Sequence, residues 1–329
     1  MHDAARSAKH ASKYNWTAQV LGGRVSHQIA YGNPWVLRVD GARRRLASFI
    51  ALPIALAVIL LAVIGGDRFY LATGQALANN AALDRLYLYL CIMAPFYAAA
   101  AALLVYERRS RAPANASPAV SGLGGLALGL AGFGLAVGLS ALAGAITTGA
   151  APAALDHRLT GMAIGALLIG FQAFGEELFF RGWLQPVLAT RLGPWIGVLL
   201  TSALFAVAHA VNRKLGMAAF ANDMLAGLVF GLLALRSGGL LAPFAAHFAW
   251  NWAEQCLLGL TPNPGVDSLG SLFDFDLVGP SLLGGGADEL NGSILATVAL
   301  AVMVGAVLLW RPERKPRAAD APEQVDSHI

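Results

Sequence analysis

Residues 161–181, GMAIGALLIGFQAFGEELFFR, decide what kind of protein this is. At about 1.5 Å per residue the run is long enough to cross the ~30 Å hydrocarbon core of a bilayer as a helix. It nevertheless carries two adjacent carboxylates, Glu176 and Glu177, followed by Arg181. Ionisable groups at membrane depth are costly, and where they occur they mark a function by default.

Outward from this run the same apolar pattern recurs, near 46–65, 85–106, 119–145, 194–212, 216–235, 240–258 and 293–310. Of the 329 residues 57% are hydrophobic and only 13% charged, with a mean hydropathy of +0.60, well away from soluble globular usage. The expected fold is all-α: a polytopic integral membrane protein with about eight transmembrane helices over 46–310. Residues 1–45 lack the apolar core and cleavage site of a signal peptide and read as a cytoplasmic extension, and 311–329 as a cytoplasmic tail.

Orientation follows from the basic residues flanking the runs, since cytoplasmic loops retain positive charge. Arg43, Arg44 and Arg45, then Arg108, Arg109 and Arg111, then Arg311, Arg314, Lys315 and Arg317 fall on one side of eight spans. The acidic connection over 259–292, with Asp267, Asp274, Asp276, Asp288 and Glu289, falls on the other. Both termini are thus expected in the cytoplasm and the chain in the plasma membrane. Arg213 and Lys214 disagree locally, which a reentrant turn would explain. The net charge of +4 is spent on these flanks, which speaks against nucleic acid as a partner.

Two cysteines, Cys91 and Cys256, both inside apolar runs, are too few for a disulfide framework or a CxxC metal site and read as packing residues. The third run spaces Gly125 from Gly129 and Gly134 from Gly138 by three residues, a pattern that lets helices approach closely in lipid. It is read as internal packing rather than dimerisation, and the oligomeric state is left open.

Helical spacing puts Glu177 and Arg181 on one face, four residues apart, while Glu176 points about 100° away toward Gln172 and Phe180. Arg181 is placed to hold Glu177, leaving Glu176 as the unpaired acid suited to general-base work. Phe205 shares a face with His209, and His247 with Asn251. Two histidines plus a carboxylate match a water-activating hydrolytic site, and equally a zinc shell of Glu176, His209 and His247. The cofactor is therefore either none or a divalent metal such as zinc. His247 and Asn251 carry N–H donors of the kind that stabilise an oxyanion.

With these residues in hand, the chain resembles the CPBP intramembrane endopeptidases, which include the CAAX prenyl proteases and bacteriocin-processing enzymes. EELFFR fits EExxxR, FAVAH fits FxxxH and HFAWN fits HxxxN, in order, within 160–258. The resemblance implies that Glu176 activates water with help from His209. It further implies that His247 and Asn251 form the oxyanion hole, and that Glu177, Arg181 and Phe205 support them.

The expected activity is hydrolysis of a peptide bond in a membrane-associated protein or peptide, at the lipid bilayer. The Ala-, Gly- and Arg-rich composition is bacterial in character, which favours peptide maturation or membrane-protein turnover over a prenylated substrate. A proton-coupled transporter or a non-catalytic scaffold is the competing class. It would use Glu176, His209 and Asp223 as a relay or not at all. The polar pair Asn222 and Asp223 on the sixth run reads either as helix capping and packing or as a lining of the same cavity.

Overall fold

A computed structural model describes residues 48–77, 79–107, 118–149, 154–211, 216–260, 270–284 and 286–310. The extension, the tail and the basic flanks used for orientation lie outside the described residues, as do Arg213 and Lys214.

The apolar runs fold as helices. α1 (Ser48–Leu60) passes through a widened π-helical turn at Leu61–Gly65 into α2 (Gly66–Thr73). α3 (Ala81–Glu107) and α4 (Pro118–Leu142) follow. α5 (Leu155–Glu177), a π-helical stretch at Leu178–Leu184, and α6 (Gln185–Leu192) form one continuous helix. α7 (Pro194–Ala210) and α8 (Met217–Ser237) come next, then α9 (Leu241–Trp252), which closes on a third π stretch at Ala253–Leu257. The short α10 (Ser281–Gly284) precedes α11 (Ile294–Leu309).

Six helices among the described residues are long and apolar enough to cross a membrane: Phe49–Thr73, Ala81–Tyr106, Ala119–Leu142, Leu155–Leu192, Met217–Ser237 and Gly286–Leu309. The runs near 194–212 and 240–258 give shorter helices, 17 residues in α7 and 12 in α9. Their starts are set by turns at Gly193 (φ 87°) and Gly238 (φ 68°), backbone conformations in the left-handed half of φ space that glycine adopts at no steric cost. The chain is a multi-pass helical membrane protein in which, among the described residues, six of the eight expected spans are helices long enough to cross and the other two are the shorter helices α7 and α9.

The α5–α6 helix is 38 residues long, well beyond the run expected at 161–181, and at about 1.5 Å per residue it would extend roughly 57 Å. Pro186, which lacks an N–H and crowds the preceding turn, sits in the first turn of α6 directly after the widened stretch. The widened stretch occupies the centre of the bundle. Phe179, Phe180, Arg181 and Trp183 within it are all fully buried.

α4 packs along α9 through the first glycine pair: a Cβ at Gly125 or Gly129 would run into the backbone carbonyls of Ala242 or Ala246. That close approach seats the helix carrying His247. The second pair behaves differently, since nothing lies within 4 Å of a Cβ built at Gly134 or Gly138. The only sheet among the described residues is a two-stranded antiparallel ribbon of β1 (Ile146–Thr148) and β2 (Phe275–Leu277), which pairs Thr147 with Asp276. It adds a small cap to an otherwise helical fold. Cys91 and Cys256 are both free.

Candidate active site

The turn at Gly193 sets the register of the site. Glu176 lies 17 residues before it and His209 lies 16 after it. At about 1.5 Å per residue both therefore stand roughly 25 Å from the turn. Because α6 and α7 pack against each other as the two arms of this hairpin, the pair meet at one height. Both line one cavity of about 350 Å³, together with Gln172, Phe180 and Ala208 from the same two arms.

Glu176 is 5% exposed and is held from one side only. Gln172, one helical turn earlier, donates from Nε2 to Glu176 Oε1 at 3.1 Å. Glu176 Oε2 is buried and has no hydrogen-bond partner among the described residues. A buried carboxylate oxygen left without a donor is expensive, so a site that tolerates one is prepared for a ligand or a water.

Glu177 faces away from the cavity and is fully buried. Arg181 donates from Nη1 to Glu177 Oε1 at 3.0 Å, the pairing expected from the four-residue spacing. The guanidinium also donates from Nη2 to the carbonyl of Gly227 at 3.0 Å, which fastens the widened stretch to α8. It lies over the rings of Phe205 and Phe230, 4.6 and 5.4 Å from their centroids. Cation–π contact of this kind compensates part of the desolvation of a buried charge.

His247, 3% exposed, is the link between the two glutamates. Its Nδ1 donates to Glu177 Oε1 at 3.0 Å, and its Nε2 stands 3.9 Å from Glu176 Oε2. The ring is stacked on Phe230 at 4.6 Å with an interplanar angle of 15°, which fixes its plane. His209 is half-buried, and its Nδ1 lies 2.9 Å from the carbonyl of Phe205. A carbonyl only accepts, so Nδ1 carries the proton and the neutral ring has its lone pair on Nε2. Asn251 lies one turn beyond His247, half-buried, and makes no side-chain hydrogen bond among the described residues. Neither His247 nor Asn251 lines the cavity that Glu176 and His209 share.

The zinc shell that sequence allows, Glu176 with His209 and His247, is not assembled. No group of three or more His, Cys, Asp and Glu side chains among the described residues is placed to hold a metal ion. His247 spends Nδ1 on Glu177, and its Nε2 is directed at a carboxylate oxygen.

Two contacts escaped the reading of the sequence. The Gln172 bond to Glu176 was open to it, because four-residue spacing on a helix pairs side chains, yet a glutamine next to an acid carries no catalytic pattern. The bond between His247 and Glu177 joins residues 70 positions apart, and no local signal announces it. Asn222 is a packing residue. Its Nδ2 donates to the carbonyls of Asn291 and Ser293, and its Oδ1 accepts from Thr297 Oγ1 at 2.7 Å.

Residues 158–253 match the family model described as type II CAAX prenyl endopeptidase Rce1-like. An uncharacterized 24.3 kDa protein of Escherichia coli is 38% identical over 87 residues, which make up 26% of this chain and 37% of that protein. The chain thus spans little more than a third of the length of this curated relative. No solved structure matches the chain. The matched segment runs from the first turn of α5 to the end of α9 and contains Glu176, Glu177, Arg181, His209, His247 and Asn251. Over residues 158–253 the chain is therefore similar to the type II CAAX prenyl endopeptidases.

Proposed function

We propose that the protein hydrolyses a peptide bond of a membrane-associated protein or peptide, with Glu176 and His209 activating the attacking water. The observation that carries this reading is that Glu176, whose Oε2 is buried without a hydrogen-bond partner among the described residues, lines the same cavity as His209. A water taking that oxygen as acceptor passes its proton to Glu176 as its own oxygen bonds to the substrate carbonyl carbon. The carbonyl oxygen gains the negative charge, and the carboxamide of Asn251, which lies outside the cavity wall, is the donor this reading assigns to it. Glu177 holds His247 by Nδ1 and so directs Nε2 toward the reacting side. Return of the proton from Glu176 to the leaving amine breaks the C–N bond and restores the carboxylate.

The same reading places both termini on the cytoplasmic side of the plasma membrane, with 46–310 as the membrane domain. Peptide maturation or membrane-protein turnover is the substrate class. Cleavage of a quenched fluorescent peptide library by the purified, detergent-solubilised protein tests the activity, beside Glu176→Ala and with and without a chelator. Turnover abolished in the variant and unchanged by the chelator is the expected result. Loss in both, with rescue by zinc, would replace the assignment by a metal-dependent one. Turnover retained by Glu176→Ala would remove Glu176 from the chemistry and favour the transporter or scaffold class.

A further inference from the structure

The carboxamide of Gln172 has two ends, and the catalytic group uses only one of them. Gln172, Glu176 and Phe180 follow one another at four-residue spacing along α5 and the widened stretch after it, and all three line the cavity. Gln172 Nε2 donates to Glu176 Oε1 at 3.1 Å, the one hydrogen bond that this side chain makes among the described residues. A carboxylate only accepts, so the amino end of the carboxamide must face Glu176 and the carbonyl end is turned from it. Gln172 Oε1 is therefore an acceptor with no donor among the described residues, one helical turn from the base. The backbone on either side of Gln172 is held by Tyr97 of α3. Its hydroxyl donates to the carbonyl of Phe171 at 2.7 Å, its ring stacks on that of Phe171 at 4.8 Å, and a Cβ built at Gly175 would lie 2.7 Å from it.

Across the cavity α3 contributes Leu88, Ile92, Met93 and Phe96, an apolar run. A peptide entering such a space brings backbone N–H groups with it, and each one left without an acceptor away from water is costly. We infer that Gln172 is a substrate-positioning residue whose Oε1 accepts a backbone N–H of the peptide, about two residues from the bond that Glu176 attacks. The inference rests on the peptidase reading. The distance follows from the helix, since four residues rise about 6 Å while an extended peptide advances about 3.3 Å per residue. One carboxamide thus ties base and substrate to a common point: its amino end fixes Glu176 and its carbonyl end fixes the chain to be cut. The contact reads extended backbone rather than a side chain, and it disfavours proline, which has no N–H, at the position it holds.

The test is binding to full-length protein carrying His209→Ala, which keeps the carboxylate that orients Gln172 and removes the histidine assigned to water activation. The probe is the member of the peptide library that this protein binds most tightly, remade as a series in which one backbone N–H at a time is replaced by an ester oxygen. One position should lose about fivefold more affinity than its neighbours, the effect of one net hydrogen bond. Gln172→Met on the same background should erase that excess. So should Gln172→Lys, which can still donate to Glu176 but offers no acceptor, and which serves alone should the methionine variant fail to fold. Equal losses at every position, or an excess that survives the substitutions, would overturn the inference and leave Oε1 to a water. Cleavage of the parent peptide by the wild-type protein then locates the attacked bond. The sensitive N–H should lie within two residues of it, and a more distant one would also overturn the inference. An excess that depends on Gln172, in a protein whose wild type cuts no member of the library, would leave the contact standing and break the peptidase reading alone.

Discussion

Two helices of the bundle, α8 and α5, use buried polar side chains in opposite ways. On α8, Asn222 spends both ends of its carboxamide on the start of α11, two bonds donated and one accepted. On α5, Glu176 receives one bond from Gln172 and keeps Oε2 without a partner beside a cavity. A buried polar group whose bonds are all made is a strut, because every atom it could offer a ligand is already engaged. A buried group with a bond unmade is held in a costly state by the packing around it, and such groups belong to sites. The Glu177, Arg181 and His247 cluster stands between these cases. Its members hold one another, yet Glu177 Oε2 and Arg181 Nε make no hydrogen bond among the described residues, and the cluster lies directly behind Glu176.

Substitutions can break this contrast, and the largest effect is expected at Glu176. Glu176→Gln keeps the shape and should lower kcat on a cleaved peptide by roughly 10⁴-fold with little change in melting temperature, as removal of a general base does. A destabilised variant with residual turnover would make Glu176 a strut like Asn222. Next comes Arg181→Ala, which leaves Glu177 buried without its cation and cuts the tie to Gly227. Loss of a partner in a buried pair costs about 3–5 kcal/mol, so the melting temperature and yield should both fall. An unchanged melting curve would show the cluster to be solvated.

Asn251→Ala should reduce kcat by roughly 100-fold with KM nearly unchanged if the carboxamide donates to the oxyanion. Normal turnover would remove it from the site. The smallest effect belongs to the strut itself. Asn222→Ala leaves Thr297 and two backbone carbonyls short of a partner and should cost about 1–3 kcal/mol of stability without altering kcat. A selective loss of turnover there would place α8 in the active site after all.

Much of this contrast was legible in the sequence. The pairing of Arg181 with Glu177 and the divergence of Glu176 follow from helical period alone, and EELFFR, FAVAH and HFAWN mark the elements that carry the polar groups. The helix boundaries were less legible. Polar interruptions end a hydropathy window, whereas the α5–α6 helix continues through Arg181, Gln185 and Pro186, with α8 offering the carbonyls of Gly227 and Gly231 to Arg181 and Gln185. The glycine pairs show the same limit, for identical spacing on α4 meets α9 at Gly125 and Gly129 and open space at Gly134 and Gly138.

By itself the sequence determined that the chain lives in a bilayer as helices, and which neighbours within one helix share a face. Hydropathy and the 3.6-residue period are local properties, readable without knowing what lies opposite. Only the tertiary structure decided that His247 reaches Glu177 and that Glu176 and His209 meet at one height. It alone opened their cavity toward Asp67 and Arg85 on helices outside the family segment. Those relations depend on the angle and depth at which separate helices pack. These are set by the summed fit of many side chains, and no short stretch of sequence encodes them.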